Sequence, residues 1–111
     1  MPTSRPPDIE SEILFLTTKQ GGRRTAVRSD YRPEHAMGHP EILNGARHIF
    51  LDRESVEPGG SARSQMIFTV PEYQYGRLFV GMEFTVQEGS KIVAKGRILR
   101  VLNADMKASQ Q

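Results

Sequence analysis

The chain has 111 residues, no cysteine, and 37% hydrophobic residues besides ten glycines, enough apolar material for one modest core and too little length for two. Fifteen basic residues oppose thirteen acidic ones, a formal net charge of only +2, so a basic surface has to arise from clustering rather than from the total. The missing cysteines exclude disulfides, thiolate metal sites and thiol nucleophiles, and with no apolar run near the roughly 20 residues of a membrane helix and no signal-type core in residues 1–7 the chain reads as cytoplasmic, without membrane contact.

The elements follow in chain order. Proline and small polar residues make residues 1–7 a disordered N-terminal arm. Residues 9–16 alternate, with Ile9, Ser11, Ile13 and Phe15 on one face and Glu10, Glu12, Leu14 and Leu16 on the other, the period of a strand. Its second half is apolar on both faces, which predicts burial on both sides. Residues 17–23 form a turn in which Gly21 and Gly22 supply positive φ. Residues 25–31 read as a second strand closed by Arg32 and Pro33, residues 35–44 as irregular, and residues 48–52 as a short strand. Val56-Glu57-Pro58-Gly59-Gly60 is a strong turn signal. Residues 62–70 alternate again, with Ala62, Ser64, Met66, Phe68 and Val70 opposite Arg63, Gln65, Ile67 and Thr69. Residues 77–87, turned at Gly81, and residues 91–102, after Glu88-Gly89-Ser90, complete about six strands and predict an all-β barrel or sandwich. The polar end, residues 104–111, reads as a disordered tail.

The chemistry is concentrated in GGRRTAVRSDYRP, residues 21–33. A phosphate-cradling P-loop is excluded, because it needs four residues between its glycines and then Gly-Lys-Ser/Thr opening a helix. His35 and His39 stand four apart, which would align two metal ligands on a helix, but Gly38 and Pro40 oppose a helix there and no third ligand is near. The carboxylates Glu10, Glu12, Asp52 and Glu54 have solvated-looking neighbours and read as exposed charges rather than an acid/base pair. No serine stands in a nucleophile elbow. No enzyme is expected, and no metal or other cofactor. What remains is binding: Arg23, Arg24, Arg28 and Arg32 lie within ten residues with only Asp30 against them, arginine forks engage phosphate oxygens in pairs, and Tyr31 offers a ring for stacking. Ordinary turn chemistry competes with this reading, with the glycines turning the loop, Tyr31 packing and Pro33 ending the strand.

The segments IESEILFLTTKQGGRRT, DYRPEH, VEPGG and GMEFTVQEGSKIVAKGRILRVLN, in that order and at those intervals, resemble the C-terminal, third β-barrel domain of translation elongation factor Tu over residues 8–103. The resemblance implies an all-β fold, a closed six-stranded antiparallel Greek-key barrel, as a free-standing single domain. In that family the barrel packs on a GTPase domain, touches the nucleotide-exchange factor and helps grip the T-stem backbone of tRNA. With no GTPase domain here, no GTP binding is expected of this chain alone. The family's tRNA-contacting loop follows the double glycine, so Arg23 and Arg24 inherit candidate phosphate contacts, Arg24 standing where the family usually has histidine. Glu34 stands where the family has glutamine, and residues 35–50 depart from its threonine-rich stretch. The candidate RNA-binding set is Arg23, Arg24, Arg28, Arg32, Lys91 and Lys95, Arg97 and Arg100 following on the same last strand. Two functions are expected: a non-enzymatic, translation-related module for tRNA or rRNA backbone, or a protein-interaction module that mimics the factor's barrel or pairs with a partner chain.

Overall fold

Apolar residues at every second position, set between turn signals, leave the chain one economical way to bury them: strands curved around a common interior. In the structure, a computed structural model that describes residues 5–39 and 42–109, the strands are β1 (Ile9–Phe15), β2 (Val27–Arg28), β3 (Glu34–Ala36), β4 (Leu43–Phe50), β5 (Ser55–Val56), β6 (Ser61–Phe68), β7 (Glu83–Glu88) and β8 (Lys91–Val101). Six of them close a barrel in the order β1-β6-β4-β3-β7-β8, with β8 returning to β1, and all pairings are antiparallel. β3, β4 and β6 pair in succession while β1 lies beside β6, the Greek-key arrangement. The all-β barrel read from the strand pattern, in the closed six-stranded antiparallel form that the resemblance implied, is therefore the fold.

The faces assigned to residues 9–16 and 62–70 point as expected over most of their length. Ile9, Ser11, Ile13 and Phe15 of β1 and Ala62, Ser64, Met66 and Phe68 of β6 are buried, joined by Phe84 and Val86 of β7 and Val93, Ala94 and Ile98 of β8. At Gly96 a Cβ would stand 2.2 Å from the Phe84 ring, so the ring covers bare backbone across the β7–β8 pair and a side chain there would force it out. Register shifts between Glu10 and Ser11 and between Val86 and Gln87 bend the wall where it closes.

Several expectations change. Leu14 is 54% exposed rather than buried on both sides, because the barrel has one inside and Leu14 points outward where the wall is open; Glu10 on the same outward face, read as an exposed charge, is instead 8% exposed, with Arg63 and Arg100 at its carboxylate. Of residues 25–31 only Val27 and Arg28 are strand, and they leave the barrel to pair with β5. The stretch read as irregular, residues 35–44, contains most of β3 and the start of β4; Pro40 lies outside the described residues. The tail is ordered as far as it is described: residues 104–106 form a 3-10 turn, the Met106 side chain is fully buried, and the backbone amide of Ala108 donates to the Leu78 carbonyl at 2.8 Å. At the other terminus Arg5 forks onto the buried Asp8 carboxylate at 3.0 and 3.1 Å; residues 1–4 lie outside the described part.

Candidate nucleic-acid interface

The turn after β1 is built from its own polar groups. The Gln20 amide donates to the Thr17 carbonyl and hydroxyl, the Thr17 amide to the Gln20 side-chain oxygen, and the Gly22 amide to the Thr17 carbonyl. The two glycines serve different ends. Gly21 holds φ +95°, the left-handed region. Gly22 instead approaches the chain so closely that a Cβ would fall 2.4 Å from the Leu16 carbonyl oxygen. The turn therefore delivers Arg23 at a fixed point.

From there Arg23 reaches the far end of the β7–β8 hairpin. Its Nη1 donates to Oε2 of Glu88, its Nε to the Thr25 carbonyl at 3.2 Å and its Nη2 to the Thr25 hydroxyl at 3.1 Å, while the guanidinium lies 5.6 Å from the Tyr31 ring centroid. The Tyr31 hydroxyl donates to the same Glu88 oxygen. Burial, reinforced by that carboxylate, raises the Tyr31 phenol above its usual range and keeps it protonated. Tyr31 also packs at 6.1 Å from both Phe15 and His48, the corner-packing role foreseen for it.

The six candidate residues divide by surroundings. Arg24 and Lys91 are exposed, and no carboxylate lies within ion-pair distance of either among the described residues. Lys91 pairs across the hairpin with Glu88 in backbone register, so the Arg23–Glu88 contact sets Arg24 and Lys91 at one end of the barrel, with exposed Lys19 in the same turn. The sequence reading passed over Lys19, although it stands two residues before the double glycine. Arg28 is exposed on the β2–β5 ribbon. Arg32 lies 3.5 Å from Asp30, which Arg47 also engages; the Arg47 hydrogen bond draws the Asp30 carboxyl below its usual range. Lys95 lies four residues further along β8, about 13 Å at strand rise, on the outer wall between Leu14 and Thr85. Arg97 stands in register with Glu12 and Glu83, and Arg100 lies 3.5 Å from Glu10. The structure thus links Arg23, Arg24 and Lys91 through Glu88, while Arg28 stands on the separate β2–β5 ribbon, Arg32 engages Asp30 and Lys95 lies further along β8.

The two histidines set aside as metal ligands have different surroundings. His39 is exposed, whereas His35 is fully buried inside the barrel, with its Nε2 2.8 Å from Nε2 of His48. His48 was legible only as one member of an inward set, Asn44, Ala46, His48 and Phe50, that polar residues disguise. Outside the barrel, a groove of about 730 Å³ crosses the wall between Glu12, Leu14, Thr85, Lys95 and Arg97, and Phe79 and Val80 are 53% and 65% exposed at a turn tip. No helix among the described residues is long and apolar enough to cross a membrane. No protein-family model matches the chain.

Proposed function

We propose that this chain is a non-enzymatic, translation-related RNA-binding module of the cytoplasm, taking the sugar-phosphate backbone of tRNA or rRNA on the barrel end that carries Arg23, Arg24 and Lys91. One observation carries the reading: the bond from Arg23 to Glu88 pins the loop that carries Arg24 onto the end of the β7–β8 hairpin that carries Lys91, and among the described residues neither cation has a carboxylate within ion-pair distance. Cations held so and left uncompensated attract a polyanion by releasing its counterions. The resemblance to the third domain of elongation factor Tu supports the translation setting and the choice of RNA.

Binding of bulk tRNA and of ribosomal RNA fragments across a salt series tests it. Affinity should fall steeply with salt, and Arg24→Ala/Lys91→Ala should flatten the logarithmic salt slope by about 1.8 on duplex regions, at roughly 0.9 per phosphate contact. A slope unchanged in the double variant would remove this surface from RNA binding. The second reading, a protein-interaction module, draws on the exposed Leu14, Phe79 and Val80; it becomes the better one if the unaltered protein binds neither RNA at low salt.

A further inference from the structure

We propose that Glu88 closes the phosphate site from within, its carboxylate oxygen occupying the position between Arg23 and Tyr31 that an RNA phosphate oxygen takes when the backbone docks. The inference rests on the RNA reading above and adds how that site is regulated.

All three nitrogens of Arg23 are engaged, one with Glu88 and two with Thr25, and its side chain is only 23% exposed. Each terminal nitrogen keeps a second N–H, but the Tyr31 hydroxyl has one proton and gives it to Glu88, so a phosphate oxygen that takes both Arg23 and Tyr31 has to replace that carboxylate. The Thr25 bonds fix the guanidinium plane, one of them to a backbone carbonyl that cannot move away. Glu88 is the replaceable partner. A single oxygen of it, Oε2, accepts from both Arg23 and the Tyr31 hydroxyl, and an oxygen between a charged donor and a neutral one is what a non-bridging phosphate oxygen offers as well. Tyr31 has to be a protonated donor for the exchange, and the structure keeps it so.

The displaced carboxylate has somewhere to go. Glu88 ends β7 immediately before the Gly89-Ser90 turn, its side chain is 35% exposed, and its cross-strand neighbour is Lys91. Rotation toward Lys91 exchanges one cation partner for another at the hairpin tip. The closed arrangement neutralises Arg23 when no RNA is present. It also lowers affinity for isolated small anions, which lack the neighbouring phosphates that would engage Arg24 and Lys91 at the same time.

Glu88→Gln tests the device, because glutamine keeps an oxygen for Tyr31 and Arg23 while losing the charge. We expect bulk tRNA to bind about tenfold tighter at fixed low salt, on the order of the difference between a charge-assisted and a neutral hydrogen bond. Two comparisons separate this from a plain change of net charge. Glu57→Gln, in the turn packed against Leu16 and Thr17, should give a markedly smaller gain. In an Arg23→Gln background the Glu88→Gln gain should vanish. Unaltered protein that binds tRNA while Glu88→Gln binds no better, or a gain that survives Arg23→Gln, would overturn the closure and leave the RNA reading standing; no binding by either protein would overturn both. If Glu88→Gln fails to fold, the side-chain NMR signals of the Arg23 Nε–H and the Glu88 carboxyl in the unaltered protein decide. They should both shift as tRNA is added, and signals that stay in place while RNA binds elsewhere sink the proposal.

Discussion

His48 shows how a polar residue is accommodated in this core. His35 Nδ1 lies 3.0 Å from the Asn44 carbonyl, which can only accept, so that nitrogen carries the proton and His35 Nε2 accepts from His48 Nε2–H. His48 Nδ1 is then the acceptor for the Ser64 hydroxyl at 2.8 Å. The groups facing the pair are the Phe50, Phe68 and Phe84 rings and the Tyr31 ring, whose hydroxyl is turned toward Glu88, so no carboxylate offsets an added proton. Burial pushes His35 down to about 4 and His48 well below its usual range. The unfolded chain takes up protons near pH 6.5 that the folded one refuses. Stability is therefore complete above pH 6.5 and falls as pH drops toward 4, by up to about 1.4 kcal/mol per pH unit for each histidine. Urea midpoints at pH 7.5, 5.5 and 4.5 read this directly, and His35→Phe/His48→Leu should flatten the decline above pH 4.5. A decline that persists in the double variant places the acid sensitivity in other groups.

At the scale of elements, Asp8 ties three segments that sequence alone leaves unconnected. Its carboxylate accepts from Arg5, from the Phe68 amide at 2.8 Å and from the Asn103 side chain at 3.0 Å, while its carbonyl takes the Leu102 and Asn103 amides. Asp8 is buried but Arg5 is 41% exposed at its side chain, so the two partners are unequal. Asp8→Ala strips the buried Phe68 amide and frees both chain ends, and should cost about 3–5 kcal/mol; Arg5→Ala should cost about 1 kcal/mol. Denaturant unfolding of both variants checks the ratio, and equal losses would credit the ion pair rather than the carboxylate's wider bonding. Elements with regular alternation, such as β1 and β6, were legible because their inward positions carry mainly apolar residues. β4 was only partly legible, since its inward Asn44 and His48 are polar and its outward Leu43 and Ile49 are apolar. Met106 was not legible at all, because one buried residue in a polar tail carries no period.

Across the whole molecule, the barrel and the site obey different rules. Closure gives every barrel strand two neighbours and leaves no barrel edge to fray. The residues proposed to bind RNA, by contrast, sit on the loop and hairpin attached to one end. This division explains what the sequence reveals of the site. The run of arginines is visible because its members are neighbours in the chain, whereas the partner that governs Arg23 is Glu88, 65 residues away, and only the folded barrel brings it there. The same division predicts the pattern of amide hydrogen exchange. Amides of β1, β6 and β8, paired on both sides, should exchange only through global unfolding and share one large opening free energy. The β2–β5 ribbon, two residues per strand, should open locally and exchange first. The turn amides of Gln20, Gly21 and Gly22, hydrogen-bonded within their own loop and tied to the barrel through Arg23, belong between these limits. Arg23→Ala should move them toward the ribbon and leave the barrel amides unchanged when exchange is compared at equal global stability. Turn amides that keep their protection in Arg23→Ala would mean the loop is held by its own bonds alone, and that the contact with Glu88 tunes charge at the barrel end without ordering it.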